Sequence, residues 1–150
     1  HTTFIVAANA LSFYNCNLIF SDISLEDYNL DPDKVENLII KYKKKNIKIS
    51  AIIVTDFGGM PANWEYFKQL KKKYGVKLIN DNCHAMGSEI NSSKKYAIKY
   101  ADFVIQSYHP VKNFTSGGGG AILLNEKKSY FKLKKLREHG FEFQKKKMEV

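Results

Sequence analysis

The sequence is short of arginine, cysteine and long apolar runs, and each shortage argues against a class of function. Arg137 is the single arginine among 24 basic residues, although arginine is the usual reader of bases and phosphates. Cys16 and Cys83 are isolated thiols with no CxxC pair or zinc-like spacing, which favours a reduced, cytoplasmic protein. No apolar run approaches the roughly 20 residues of a transmembrane helix, so no membrane span is predicted.

The chain nevertheless carries a formal net charge of +9 over 150 residues. Most of its lysines stand in runs on or after helix-like patterns: KYKKKNIK, KQLKKKYG, KLKKLR and QKKKMEV. Such runs are typical of solvated helix faces, and we interpret them so rather than as a nucleic-acid surface. A non-catalytic domain that binds an anionic partner stays an alternative. A positive potential would also steer an anionic substrate.

Apolar runs alternate with helical patterns along the chain. Strands are predicted for residues 17–23 and 49–57 and for the segments VKLIND, DFVIQSY and GAILLN. Helices are predicted for LDPDKVENLIIKYKKK with Asp31 as N-cap, for WEYFKQLKKKYG up to Gly75, and for EKKSYFKLKKLREHG up to Gly140. Apolar strands separated by helices predict an α/β fold, with a mostly parallel sheet covered on both faces.

Polar residues follow several of these strands: Asp56, residues 81–84 and residues 107–112. Because ligands of parallel sheets bind beyond the carboxyl ends of the strands, we expect these residues to reach the same edge. Asp81 could hold a cation, ligate a metal or orient a protonated heterocycle, although a cap or loop hydrogen bond is the commoner role of a single Asp. Asp81 and His84, with His109 as a third candidate, are too few to predict a metal site.

Lys112 stands apart from the lysine runs, in the segment SYHPVKN. A lysine in a partly dry pocket can lose its proton and attack a carbonyl to form a Schiff base, whereas taken alone it would be one more surface lysine. Ser107 is a candidate anion donor at the end of the preceding strand. The glycines of TSGGGGA match neither the P-loop nor GxGxxG, and we interpret them as a tight reverse connection rather than a phosphate cradle.

Six segments, in order along nearly the whole chain, resemble the DegT/StrS family of nucleotide-sugar aminotransferases, which are pyridoxal 5'-phosphate (PLP) enzymes of fold type I. The segments are TFIVAANAL, LIFSDISLEDYNLDPDKVENLI, AIIVTDFGGMPANWE, INDNCHAMGS, SYHPVKNFTSGGGGAILLN and LREHG. The fifth is especially similar to the family's Ser-Phe-His-Pro-Val-Lys-x-Ile-Thr-Thr-Gly-Glu-Gly-Gly-Ala. The His-Pro-Val-Lys form most resembles the subgroup that aminates a 4-keto-6-deoxy UDP-N-acetylhexosamine.

The resemblance implies roles for four residues. Lys112 matches the lysine that binds PLP as a Schiff base and moves a proton during transfer. Asp81 matches the carboxylate that pairs with the pyridinium nitrogen, His84 matches the position that hydrogen-bonds the phenolic oxygen, and Ser107 matches a phosphate ligand. The implied function is amino transfer from L-glutamate to a keto-sugar nucleotide, for surface polysaccharide or glycan biosynthesis, by a homodimer.

Four positions depart from the family's pattern. Where the family has Glu-Asp-Ala-Ala-His, this chain has Asn80, Asn82 and Cys83 around Asp81, and Gly118 replaces a usual Glu. The family's N-terminal Gly-Thr-Ser phosphate loop and C-terminal small domain have no counterpart in these residues. Residues 1–150 are therefore predicted to be the central part of the PLP-binding large domain.

Two other functions stay open from the sequence. A PLP-dependent sugar dehydratase of the same family would carry His at the lysine position, so Lys112 argues against it. An inactive fragment is the second, since both missing ends of the family's fold carry functional residues.

Overall fold

The fold is an α/β arrangement with one four-stranded sheet, and the computed structural model describes residues 4–141. Its elements are α1 (Val6–Ser12), α2 (Pro32–Lys44), β1 (Ala51–Thr55), a short 3₁₀ helix (Phe57–Gly59), α3 (Trp64–Tyr74), β2 (Lys77–Asp81), α4 (Tyr96–Tyr100), β3 (Phe103–Ser107), β4 (Gly120–Leu123) and α5 (Lys127–Arg137). The strand order is β1-β2-β3-β4. The first two pairings are parallel and the last is antiparallel, which confirms the predicted mostly parallel sheet.

Local chemistry sets the ends of the two long helices that pack on the sheet. The Asp31 carboxylate accepts hydrogen bonds from the N–H groups of Asp33 at 2.9 Å and Lys34 at 3.3 Å, as expected of an N-cap. At the other end of α3, Gly75 adopts φ +66°. This left-handed conformation is available to glycine without steric cost, so the helix ends where the sequence predicts.

One face of the sheet carries the core. Its buried side chains are Ile52, Val54, Leu78, Asn80 and Val104, and they pack with Val35, Ile39, Trp64, Phe67, Leu70, Tyr96 and Tyr100 of the helices. The opposite face carries Ile53, Ile79, Ile105 and Ile122, which are half-buried or exposed. Within residues 4–141, the expected helical cover is therefore found on one face only.

The strand predicted for residues 17–23 is wrong. Only Ile23 pairs, as a single antiparallel bridge to Leu30, and β1 has β2 as its sole neighbour within the described sheet. An extended strand pairs with a neighbour along its length, whereas the backbone hydrogen bond beside this bridge joins the Asp31 N–H to the Asp22 carbonyl at 3.1 Å. The segment instead lines an apolar groove of about 430 Å³ together with residues of α1, α2 and β1.

Other departures from the predicted elements are smaller. Helices α1 and α4 were not predicted, and α5 ends at Arg137, three residues before Gly140. The lysines of α2, α3 and α5 are mostly exposed, as expected of solvated helix faces, while the run QKKKMEV lies outside the described residues. Among residues 4–141, none of the helices has the length and apolar character of a transmembrane segment.

Candidate active site

The carboxyl ends of β1, β2 and β3 meet at one edge of the sheet. The register pairs Thr55 with Asp81 and Asp81 with Ile105, so β1 and β2 end level with one another and β3 continues two residues further, to Ser107. The polar residues that follow them reach this edge, as the sequence predicts. Two loops surround it: residues 82–88 after β2 and residues 108–119 between β3 and β4.

Asp81 is the last residue of β2 and is half-buried. Side chains alternate between the two faces of a strand, and the flanking Asn80 and Asn82 are buried on the core side. The Asp81 carboxylate therefore points toward the opposite, open face. Its Oδ1 accepts a hydrogen bond from the Cys83 N–H at 3.2 Å, which orients the group at the start of the loop.

The groups that shift the pKa of the Cys83 thiol lie near it at this edge of the sheet. Burial raises the pKa of its thiol to about 12, and the hydrogen bond and negative charge of Asp81 act in the same direction. The positive charge of Lys112 and the backbone N–H of Ser107 lower the thiol pKa. Asp81, Ser107 and Lys112 are thus all within electrostatic or hydrogen-bonding reach of one sulfur atom, which itself donates to the Ile105 carbonyl at 3.7 Å.

Lys112 is held on a short turn that follows β3. Its backbone N–H donates to the His109 carbonyl at 2.9 Å, and the Val111 N–H donates to His109 Nδ1 at 3.3 Å. The Ser107 Oγ accepts from the His109 N–H at 3.4 Å, which links the turn to the end of the strand. The Lys112 residue is half-buried, while the neighbouring Val111 and Asn113 are exposed.

His84 lies in the loop after β2, against the turn that follows β1. Its ring centroid is 6.4 Å from that of Phe57, and a Cβ on Gly59 would come within 3.1 Å of the His84 carbonyl oxygen. The same carbonyl accepts from Asn113 Nδ2 at 3.0 Å. Within residues 4–141 no hydrogen bond joins the imidazole to the other three predicted site residues, so His84 borders the cluster around Cys83.

The glycine segment closes the connection between β3 and β4. A Cβ on Gly120 would lie 2.4 Å from the Gln106 carbonyl oxygen, so only glycine fits beside the strand. Gly117 and Gly119 have φ values of +79° and +103°, which disfavour other residues. These contacts support the interpretation of a tight reverse connection. Gly118 has open space around it and no left-handed φ.

Two residues of this edge were not singled out from the sequence. Cys83 carried one signal, its departure from the family's Ala. Asp56 was expected at the edge only as one more polar residue, yet it is fully buried beneath it. There it accepts hydrogen bonds from Trp64 Nε1 at 2.8 Å and from the Tyr96 hydroxyl at 2.8 Å. Burial, together with the Asp56 charge, raises the pKa of Tyr96.

The histidines and carboxylates of this edge do not form a metal centre. Among the described residues, no group of three or more His, Cys, Asp or Glu side chains is arranged to hold a metal ion. His109, the candidate third ligand, uses its Nδ1 to accept from Val111.

Comparison with known proteins places the chain in a family. Residues 1–150 match the model of the DegT/DnrJ/EryC1/StrS aminotransferase family. The chain is 40% identical over 138 residues to the UDP-4-amino-4,6-dideoxy-N-acetyl-beta-L-altrosamine transaminase of Campylobacter jejuni subsp. jejuni strain 81-176. The aligned region covers 92% of this chain and 35% of that protein.

Solved structures agree with that match. Helicobacter pylori PseC, an aminotransferase involved in the biosynthesis of pseudoaminic acid, superimposes with a TM-score of 0.83 at 29% identity, over 98% of this chain and 37% of its own. NtdA from Bacillus subtilis with bound cofactor PMP superimposes with a TM-score of 0.80 at 28% identity, over 99% of this chain and 32% of its own. The chain spans about a third of the length of these relatives. It belongs to the DegT/DnrJ/EryC1/StrS aminotransferase family, a family of PLP-dependent sugar aminotransferases.

Proposed function

We propose that residues 1–150 form the central part of the PLP-binding large domain of a nucleotide-sugar aminotransferase. The observation that carries this proposal is the placement of three residues at the carboxyl edge of the sheet: Asp81 and Ser107 end the paired strands β2 and β3, and Lys112 lies on the turn that follows Ser107. Ligands of parallel sheets bind at that edge. The membership of a PLP-dependent family supports the same cofactor for this chain.

The side chains at this edge fit PLP by their chemistry. The Asp81 carboxylate can accept a hydrogen bond from a protonated ring nitrogen, and its charge favours that protonation. The Ser107 hydroxyl can donate to the phosphate, and the His84 imidazole can donate to the phenolic oxygen. Lys112 supplies the primary amine that condenses with an aldehyde. When bound, PLP supplies an electron sink for the carbanion formed at Cα of an amino acid.

Lys112 carries the proton transfers in this proposal. Its Nζ takes the proton from Cα of the amino donor in the first half-reaction, and it performs the reverse transfer on the sugar carbon in the second. The backbone hydrogen bond to His109 at 2.9 Å keeps the lysine on a defined turn. The residue is half-buried, and its positive charge acts on the Cys83 thiol at the edge of the sheet.

We further propose L-glutamate as the donor and a keto-sugar nucleotide of the 4-keto-6-deoxy UDP-N-acetylhexosamine type as the acceptor. Support comes from the His-Pro-Val-Lys segment and from 40% identity to a Campylobacter transaminase whose name specifies a UDP-linked 4-amino-4,6-dideoxy sugar. The net charge of +9 suits an anionic substrate. The full-length protein is proposed to act as a cytoplasmic homodimer in surface glycan biosynthesis.

Turnover of the full-length protein tests this function. Purified enzyme with PLP, L-glutamate and the keto-sugar nucleotide is expected to yield an amino sugar, detected by mass spectrometry. We expect Lys112→Ala to lower the turnover rate by about 10²–10⁴-fold or more, because a general acid–base group typically contributes that much. Lys95→Ala, a change at an exposed lysine, should leave turnover unchanged. Normal turnover in Lys112→Ala would sink the mechanism, and loss of water from the sugar without amino transfer would indicate the dehydratase.

A further inference from the structure

Asp56 is a buried carboxylate that the proposed mechanism does not use. It follows β1 directly and is 0% exposed, and it forms no ion pair with any described residue. Its Oδ1 accepts hydrogen bonds from the Ala62 N–H at 2.9 Å and from Trp64 Nε1 at 2.8 Å. Burying a carboxylate is unfavourable unless hydrogen bonds compensate the lost hydration. A residue kept in this state therefore has a structural task.

The second carboxylate oxygen of Asp56 accepts hydrogen bonds from the residues on both sides of Asp81. Oδ2 accepts from Asn80 Nδ2 at 2.9 Å, from Asn82 Nδ2 at 3.1 Å and from the Tyr96 hydroxyl at 2.8 Å. The Asp56 N–H also donates to the Asp81 carbonyl at 3.1 Å. Three hydrogen bonds thus tie Asp56 to three consecutive residues, with two side chains held below the sheet and the Asp81 side chain left above it.

The same network continues to the segment that carries the lysine. Asn82 Oδ1 accepts from Gln106 Nε2 at 3.4 Å, and the Tyr108 hydroxyl donates to Gln106 Oε1 at 3.3 Å. The Tyr108 carbonyl in turn accepts from Thr115 Oγ1 at 2.9 Å in the loop after Lys112. The hydrogen-bonded chain therefore runs beneath the edge from the end of β1 to the end of β3.

Two departures from the family's pattern share this single acceptor. Asn80 stands where the related segment has Glu, and Asn82 stands where it has Ala. Both amides donate to Asp56 Oδ2. A Glu at position 80 would bring a second carboxylate against Asp56, and like charges in a buried site repel strongly. At both positions this chain has an amide, and each amide gives Asp56 a donor that Glu or Ala lacks.

We propose that Asp56 is a positioning residue for PLP binding, which acts by fixing the backbone of residues 80–82 so that the Asp81 carboxylate meets the cofactor ring nitrogen. This inference rests on the proposed function, because Asp81 has this task only in a PLP site. Groups that orient a ligand-binding residue typically contribute about 10–100-fold to affinity or activity.

Asp56→Asn in the full-length protein tests the proposal. Asparagine has nearly the same shape, but its NH₂ group would replace one of the two oxygens and face one of the two sets of donors. We expect PLP to bind about tenfold or more weakly, as when groups that orient ligands are removed. The pH midpoint of the cofactor absorbance change should also shift. Both readouts report on the Asp81–cofactor contact rather than on stability alone.

Two matched variants separate positioning from general destabilisation. Leu70→Ala removes a core side chain of α3 that is 1% exposed, so it should lower Tm without moving the PLP Kd or the pH midpoint. Tyr96→Phe removes one of the five donors and should shift both readouts in the same direction as Asp56→Asn, but less. Should Asp56→Asn fail to fold, Asn82→Ala carries the test, since it removes the donor next to Asp81.

The outcomes distinguish this inference from the function on which it rests. If Asp56→Asn binds PLP with the parental Kd and pH midpoint while the parent is active, the positioning role is overturned and the function stands. Equal losses in Leu70→Ala would likewise overturn it. If the unsubstituted protein binds no PLP, both proposals fall.

Discussion

Asn113 Nδ2 donates a hydrogen bond to the His84 carbonyl oxygen at 3.0 Å. This contact spans 29 residues of sequence and joins the loop that carries Lys112 to the loop that follows Asp81. The lysine and the carboxylate come from different strands, so their relative position depends on such links. Asn113 lies next to Lys112 in sequence, and a shift of its backbone would move the amine directly.

Removal of this link should weaken the cofactor site. We expect Asn113→Ala in the full-length protein to raise the PLP Kd several-fold, because a net hydrogen bond contributes about 0.5–1.5 kcal/mol. Equilibrium titration of the cofactor absorbance measures this. Asn125→Ala is the matched control, since Asn125 Nδ2 makes a similar bond to the Ile98 carbonyl at 3.1 Å away from the site. Equal effects of the two variants would show that the link has no special role.

Gly120 should tolerate no side chain. A Cβ there would meet the Gln106 carbonyl oxygen at 2.4 Å, so Gly120→Ala must shift one of the two paired strands. We expect a loss of about 1–3 kcal/mol in the free energy of unfolding, as for other overpacked sites. Gly118→Ala, which has open space, should change it by less than about 1 kcal/mol. Urea denaturation of both variants checks the difference, and equal stabilities would contradict it.

Glu36 should make stability depend on pH in the acid range. Hydrogen bonds from Lys73, Tyr74 and Tyr66 lower the pKa of its carboxyl to about 2. The folded state therefore favours the deprotonated carboxylate more than the unfolded state does. The stability that Glu36 adds is fully present above the ordinary pKa of 4.5 and is lost as the pH falls toward 2.

The sign of this effect can be tested with an isosteric variant. The Tm difference between the parent and Glu36→Gln should be largest at neutral pH and should shrink between pH 4.5 and 2. Glu26→Gln, at an exposed residue, serves as the control. A Tm difference that grows on acidification would contradict the assignment.

The fold was predictable where the sequence pattern coincides with local chemistry. The helix after Asp31 and the helix that ends at Gly75 have a cap and a stop signal of their own, and the strands β1 to β3 are apolar runs that a covered sheet requires. Residues 17–23 have the same apolar character, but a run of this kind cannot reveal whether a partner strand exists. α1 has no side-chain cap and no buried residue, so it left no pattern to detect.

The sequence predicts residues for the candidate site but not the hydrogen bonds that support them. Asp81 and Ser107 end strands β2 and β3, and His84 and Lys112 lie in the segments that follow. All four match a family segment, and their roles stay predictions. Asp56 has the same position after a strand, yet its burial depends on side chains that reach it from α3, β2 and α4. These donors are far apart in the sequence, so no local sequence pattern predicts that they surround Asp56.

Cys83 should react slowly despite lying at the edge of the site. Its thiol has a pKa of about 12 because of burial and the nearby Asp81, and the thiolate is the reactive form. Iodoacetamide at pH 7.5 should therefore label the exposed Cys16 well before Cys83, as followed by peptide mass spectrometry over time. Labelling of Cys83 should accelerate as the pH rises toward 12. Faster labelling of Cys83 than Cys16 at neutral pH would contradict this account.

The central claim is that Lys112 forms the covalent bond to PLP. The direct measurement is borohydride reduction of the full-length protein with PLP, followed by mapping of the modified peptide by mass spectrometry. We predict a reduced pyridoxyl adduct on Lys112 in the parent and in Lys95→Ala, and none at this site in Lys112→Ala. An adduct spread over the exposed lysines, or one that forms at another residue in the parent protein, would contradict the claim.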